Sequence, residues 1–410
     1  MKAYIDIGST ILKFALINNQ GSILSQAFYE RSYEEKITTQ LDRVLAEHRK
    51  KSQIDAIRIC SSANGGLRVG VLGLTNTFSI SIVANLALSA GANVVVRDVF
   101  NELKIGPPIE LDVLIVTGGI DCSNMKQLGN KVKTLNLANY QFQSLIYAGN
   151  KYLFESFKSI FPNSKAVDNP MGTDLSLSSE KLIDVLRLSY IEDLVDRKGI
   201  EELHKISEVP IWPTPGVVNL AFEAAFSSSL GAIYPTPFLV IDIGGATTDV
   251  HFGLECLSET TALRPGTFRN SNRHVFAELG VFASKASTEI ALKSHERFFD
   301  LLEVIYQENA SNKYAEFTEY EMDKDFLFVA CFFLALDALY FNRNEMVPNL
   351  NFSKISSIVI TGGASQSANI VWLQTVIDMF LSENSKRSIR IIFDTNYDMW
   401  TYGLEKVSPI

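Results

Sequence analysis

At 410 residues the chain has room for two domains with ample cores. A hydrophobic content of 47% with a formal charge of −9 describes a soluble globular protein and excludes a basic nucleic-acid binder. The longest apolar run, Phe326 to Leu336, stops at Asp337, well short of the roughly 20 residues of a bilayer span, and predicts a buried helix.

The N-terminal stretch Ala3-Tyr4-Ile5-Asp6-Ile7-Gly8-Ser9-Thr10 reads as a buried strand that ends in a carboxylate and turns on glycine. Hydroxyls then lead into a second strand, Ile11 to Ile17. Nothing there has the layout of a signal peptide. Tyr33 to Lys50 places Ile37, Leu41, Val44 and Leu45 on one helical face, and the basic cluster His48-Arg49-Lys50-Lys51 reads as its solvated end. Ile57 to Leu74 reads as two strands joined by Ser61-Ser62-Ala63-Asn64-Gly65-Gly66, a hairpin signal. Thr75 to Ala90 predicts a small-residue helix capped by Gly91. Leu111 to Val116 is an apolar strand running into Thr117-Gly118-Gly119-Ile120-Asp121, followed by a strand at Ser144 to Tyr147.

Residues 150–235 read as a mostly helical connection punctuated by Pro210, Pro213, Pro215 and Pro235, with Ile211 to Gly216 expected to be irregular. After it the first pattern returns: Phe238 to Ile241 is a buried strand, Asp242 ends it, Gly244 and Gly245 turn it, and Thr247-Thr248-Asp249-Val250 leave it. Ile355 to Ile360 then runs into Thr361-Gly362-Gly363-Ala364, and Arg390 to Phe393 is a further strand. Three landmarks in the same order imply two similarly folded halves, 1–235 and 236–410. The four cysteines, Cys60, Cys122, Cys256 and Cys331, lie far apart without C-x-x-C. They predict neither zinc nor a disulfide framework, and point to a reduced cytoplasm.

Paired D-x-G hairpins in duplicated halves resemble the actin/Hsp70/sugar-kinase ATPase superfamily. The resemblance implies an α/β fold of two ribonuclease-H-like (actin-like ATPase) domains with ATP in the cleft between them. Asp6 to Lys13 would be the first phosphate loop, Asp242 to Asp249 the second, and Thr361-Gly362-Gly363-Ala364 the adenosine motif. A narrower likeness rests on D-I-G-S-T-x-x-K, S-S-A-x-G-G-L-R-V, T-G-G-x-D at 117–121, Y-A-G-N at 147–150, P-T-P at 213–215 and D-I-G-G-A-T-T-D-V-H at 242–251. Together these resemble the MutL-type accessory proteins of adenosylcobalamin-dependent glutamate mutase. Cys122-Ser123-Asn124 stand where that family carries further glycines, and the chain is short for it. The likeness implies an ATP-driven helper of a cobalamin-dependent mutase or aminomutase.

The chemistry follows from the residue types. Two carboxylates beside a triphosphate repel it unless Mg²⁺ lies between, so Asp6 and Asp242 are the expected metal pair, acting through waters. Gly8, Gly244, Gly245 and Ala246 let backbone N–H groups approach phosphate, joined by the hydroxyls of Ser9, Thr10, Thr247 and Thr248. Lys13 offers a point charge, and Asp249 either orients an attacking water or caps the hairpin. His251 shares a strand face with Asp249 and reads as a packed histidine. Asp121 reads as a helix cap ahead of a catalytic base, and Asp168, Asp174 and Glu223 are indistinguishable. The same cleft would serve a small-molecule kinase, or a nucleotide-binding interaction protein without turnover.

Overall fold

The computed structural model describes the chain except residues 9–10, 33, 63–66, 76–78, 101–106, 122–125, 172–179, 199, 226–233, 259–271, 342–346, 364, 366–367, 382–388, 396–397 and 409–410. Three five-stranded sheets carry it. In the first, β1 (Lys2–Ile7), β2 (Ile11–Ile17) and β3 (Ile23–Glu30) form an antiparallel meander. Parallel to β1 lies β4 (Ala56–Ser61), and beyond it the two-residue strand Trp212–Pro213, β10 in chain order. The last sheet repeats this plan. There β11 (Phe238–Ile243), β12 (Thr248–Phe252) and β13 (Asn272–Phe276) are antiparallel, while β14 (Ser357–Thr361) and β15 (Arg390–Phe393) add in parallel. Both central strands, β1 and β11, are apolar on both faces and almost wholly buried. This is the duplicated ribonuclease-H-like arrangement that the two D-x-G hairpins predicted.

A third sheet, wholly parallel, interrupts the first half. It comprises β5 (Arg68–Gly73), β6 (Asn93–Val99), β7 (Ile109–Val116), β8 (Tyr140–Tyr147) and β9 (Lys165–Ala166), in the order β6-β5-β7-β8-β9. Helix α1 (Ile37–Arg49) follows β3 and buries Ile37, Leu41, Val44 and Leu45 as predicted. Helix α2 (Ser81–Ser89) joins β5 to β6, and its residues share a core with Val69, Val71, Val113 and Ile115. Helices α3 (Lys126–Lys133) and α4 (Phe154–Ile160) cover the other face, where Val132 and Phe157 meet Leu72, Leu114 and Val116. Right-handed crossovers from a parallel strand require such a doubly wound layout.

This third sheet corrects two expectations. Thr117-Gly118-Gly119 ends β7 and belongs to it, so the partner of β14 in the first half is β4, and the partner of β15 is β10 rather than residues 144–147. Any strand buried on both faces and ending in a glycine turn looks alike in sequence, which is why β7 matched β14. Likewise β4 and β5 do not form a hairpin, because each pairs within a different sheet; Asn64, Gly65 and Gly66 lie outside the described residues. Nor is Ile211 to Gly216 irregular throughout. Trp212 and Pro213 form the edge strand, where a missing N–H is tolerated, and Thr214 opens a helix in which Pro215 occupies the first turn.

After α5 (Glu180–Lys198), helix α6 (Thr214–Ala225) leaves the edge of the first sheet. In the second half α7 (Lys285–Lys293), α8 (Phe298–Tyr306) and α9 (Ala310–Glu319) precede α10 (Lys324–Phe341). From Phe326 to Asp337 every residue of α10 is buried, as its uniformly apolar surface predicted. No helix among the described residues is long and apolar enough to cross a membrane. Helix α11 (Ile370–Leu381) joins β14 to β15, and α12 (Asp398–Glu405) follows. The two halves are fastened where α6 crosses α12: Val217, Val218, Ala221 and Phe222 share one core with Met399, Trp400, Leu404, Phe238 and Val240.

That crossing depends on Gly403. A Cβ there would lie 1.9 Å from the carbonyl oxygen of Val217, which is backbone and cannot yield without parting the helices. Gly403→Ala should therefore destabilise the protein by about 2–3 kcal/mol in urea unfolding, as overpacking does. Gly129→Ala, whose Cβ would meet only Leu153 Cδ2 at 3.5 Å, should be neutral or slightly stabilising.

Candidate functional site

Both hairpins deliver their acids to one place. Register sets Asp6 opposite Lys13 across β1 and β2, and Asp242 opposite Asp249 across β11 and β12. Between them lies a cavity of about 420 Å³. The first half lines it with Gly8, Ile11 and Lys13, and the second with Asp242, Gly244 to Thr247 and Asp249. Gly363 closes on it from the end of β14, where a Cβ would stand 3.4 Å from Lys13 Cε. Ser9, Thr10 and Ala364 lie outside the described residues.

Asp6 is wholly buried beneath the cleft. Its Oδ1 accepts from Thr214 Oγ1 at 2.5 Å, and Lys13 Nζ stands 2.9 Å from its Oδ2. That approach is off the hydrogen-bond direction, so Oδ2 is a buried acceptor without a directed donor. Lys13, placed by sequence as a phosphate ligand, is thus also the counter-charge of Asp6. Asp242 differs. It lines the cleft and, among the described residues, makes no side-chain hydrogen bond or ion pair. Burial pushes its carboxyl up to about 6; Lys13 pulls it down, while the charges of Asp249 and Asp6 add to the rise. Gly362 presses on it: φ there is +95°, and a Cβ would lie 2.2 Å from Asp242 Oδ1.

Behind the second loop, the chain from Leu279 to Ser284 ties down its carbonyl groups. Val281 N donates to Gly244 O (3.1 Å), Phe282 N to Gly245 O (2.9 Å), and Ser284 Oγ to Ala246 O (2.6 Å). Gly280 permits the approach, since a Cβ would stand 2.6 Å from Gly245 O. Thr247 faces the cleft, whereas Thr248 is buried and donates to Leu279 O at 3.0 Å. Thr248 is accordingly a structural hydroxyl, not a phosphate ligand, because neighbouring strand residues face opposite ways.

Asp249 is neither free in the cleft nor a simple hairpin cap. Its Oδ1 takes Arg273 Nε at 2.9 Å and Nη2 at 2.5 Å, and its Oδ2 takes Thr247 Oγ1 at 3.2 Å. Arg273 escaped the sequence reading; its alternation on a short strand after residues 259–271 gave no signal that it faces inward. Arg31, whose Nη1 donates to Gly8 O at 3.4 Å, and Tyr190, whose hydroxyl donates to Ser61 O at 2.7 Å, also line the cleft unforeseen. His251 is a packed residue, buried against Asn219 Oδ1 at 3.4 Å and held neutral by burial and by Arg273. Asp121 does not line the cleft; it accepts from Lys151 N and Asn169 Nδ2 in the third sheet. Asp168 pairs with Lys181, and Asp174 lies outside the described residues. Among the described residues no group of three or more His, Cys, Asp or Glu side chains can hold a metal. Asp242, with Asp6 Oδ2 behind it, suits a cation that keeps most of its own waters.

The family described as "MutL protein" matches residues 3–324. Protein MutL of Clostridium tetanomorphum is 27% identical over 295 residues, 68% of this chain and 63% of that protein. The chain therefore spans less than two thirds of the length of that relative. Among solved structures, a ROK family glucokinase from Streptomyces griseus aligns with 98% of this chain and 97% of its own at 10% identity and a TM-score of 0.36. The activator of 2-hydroxyisocaproyl-CoA dehydratase from Clostridium difficile aligns with 98% of this chain and 92% of its own at 11% identity and a TM-score of 0.33.

Asp242 sets a pH dependence whose sign is fixed. Its folded pKa lies above the ordinary carboxylate value, so the folded state binds the proton more tightly, and stability falls as pH rises from about 4 to about 6. Asp242→Asn should be more stable than the wild type at pH 8 by up to about 3 kcal/mol, with the gap closing at pH 4. Urea unfolding at both pH values measures it.

Proposed function

The chain belongs to the MutL protein family, and from that premise we propose that it binds ATP with Mg²⁺ between its halves and serves as an accessory protein to an adenosylcobalamin-dependent mutase or aminomutase. One observation carries the nucleotide reading: two glycine hairpins from separate sheets and the Gly362-Gly363 turn converge on a single cleft. At about 420 Å³ that cleft lies within the range of small-molecule sites. With the carbonyls of Gly244, Gly245 and Ala246 taken from behind, what the second loop offers a ligand is N–H and the hydroxyl of Thr247, which suits an anion. Lys13 adds a cation from the opposite side. Asp242 is the carboxylate with no cation of its own, and would hold Mg²⁺ through water. Phosphoryl chemistry in such a site rests on positioning and charge neutralisation more than on a strong base.

The accessory role follows from family membership, and its partner class from the sequence strings. A second reading draws on the cleft itself, which continues past the phosphate loops to Glu30, Arg31, Ser62 and Tyr190 of the first half. An acceptor molecule there, with Glu30 as the carboxylate, would make the protein a kinase.

Calorimetry with Mg·ATP tests the binding step. Wild type should bind, and Thr247→Val combined with Lys13→Ala should weaken binding about tenfold or more, equal to roughly 1.4 kcal/mol. Absence of wild-type binding, or equal affinity in the variant, defeats the nucleotide site. For the role, ATP turnover should rise when a cobalamin mutase is added, and Asp6→Ala should fail to restore mutase activity. Stoichiometric ADP with a phosphorylated metabolite would establish the kinase reading instead.

A further inference from the structure

Arg273 sits where three units of the fold meet. It is 4% exposed. Its Nε and Nη2 hold Asp249 Oδ1, while Nη1 donates to Leu88 O at 3.1 Å and Ala92 O at 3.0 Å. Asp249 belongs to the second phosphate hairpin; Leu88 lies in the last turn of α2 and Ala92 in the short turn after it, where the chain passes from α2 to β6 in the third sheet. Leu88 O also takes the backbone N–H of Ala90 and Gly91; it lies at the negative end of the helix, where a guanidinium is favoured as it is beside a carboxylate. The same helix end is gripped from the first half. Gly91 has φ +92°, and a Cβ there would stand 2.5 Å from Pro213 Cβ, next to the Thr214 that bonds Asp6. The end of α2 is therefore held between Arg273 of β13 and Pro213 of β10.

Such a fork is stiff. Arg273 cannot follow a shift of Asp249 without lengthening its bonds to the α2 carbonyls, because all of them radiate from one planar group. Thr247, which faces the cleft, is bonded to Asp249 Oδ2 at 3.2 Å, so a ligand that recruits the Thr247 hydroxyl disturbs the same carboxylate. We propose that Arg273 is a positioning residue that couples occupancy of the cleft to the seating of the third sheet, through the C-terminal end of α2. This rests on the nucleotide reading above.

Hydrogen exchange of full-length protein, with and without saturating Mg·ATP, tests the coupling, with binding measured in parallel by calorimetry. In wild type, exchange across residues 86–96 should change about threefold or more on ATP addition. In Arg273→Gln, with ATP raised until calorimetry shows the cleft saturated, that response should be lost. A wild type that binds ATP with no change at α2, or an Arg273→Gln variant that keeps the full change, overturns the coupling and leaves the nucleotide site standing. A wild type that binds no ATP removes both. Should Arg273→Gln fail to fold, Arg273→Lys replaces it. Lysine keeps the charge but cannot bridge carboxylate and carbonyls together, so a full-size response in that variant also overturns the proposal.

Discussion

Three carboxylates crowd the base of the cleft, and their unequal neutralisation organises the site. Asp6 is met by Lys13 and the Thr214 hydroxyl, and Asp249 by the Arg273 fork. Asp242 stands between them without a cation, and its carboxyl is pushed up accordingly. Breaking either pair would leave a buried charge uncompensated, which costs far more than a surface ion pair gains. The two pairs are therefore fixed parts of the scaffold, and Asp242 is the one of the three without such a partner among the described residues.

The parts of this arrangement visible in sequence are the local ones. A buried strand, an acid, a glycine and a hydroxyl within ten residues fix a hairpin wherever it falls, so both glycine hairpins were legible. Helices α1 and α10 were legible for the same reason, the first from one apolar face and the second from apolar residues all round. What distance in sequence hides was not. The third sheet was invisible because β7 ends in the same Thr-Gly-Gly as β14, and only pairing partners tell them apart. β10 is two residues long, too short for any periodicity, yet it completes the first sheet and starts α6. The roles of Thr214 and Arg273 depend on partners 208 and 24 residues away in the chain.

Thr248 illustrates a subtler limit. Two adjacent hydroxyls after a glycine turn look equivalent, and the period of two along a strand guarantees that they are not. Thr247 lies before β12 and faces the cleft; Thr248 opens the strand and is spent on Leu279 O. That bond has its own use, since the Leu279 to Ser284 segment is what holds the carbonyl groups of the second loop. The hydroxyl turned away from the cleft is thus part of what shapes the loop that presents the other.

The connections out of the cleft follow from rigid elements rather than from loops. Helix α6 begins at Thr214, on the Asp6 carboxylate, and its body forms the crossing with α12 in which Gly403 leaves no slack. The last turn of α2 and the turn after it place Leu88 O and Ala92 O on Arg273, and the helix body packs into the core that β5 and β7 share with β1 and β4. Each glycine hairpin is thereby tied through one buried side chain to the end of one helix. Because packed helices transmit displacement with little compression, a change of a fraction of an ångström at either carboxylate has somewhere definite to go: along α6 to the seam between the halves, and along α2 to the third sheet.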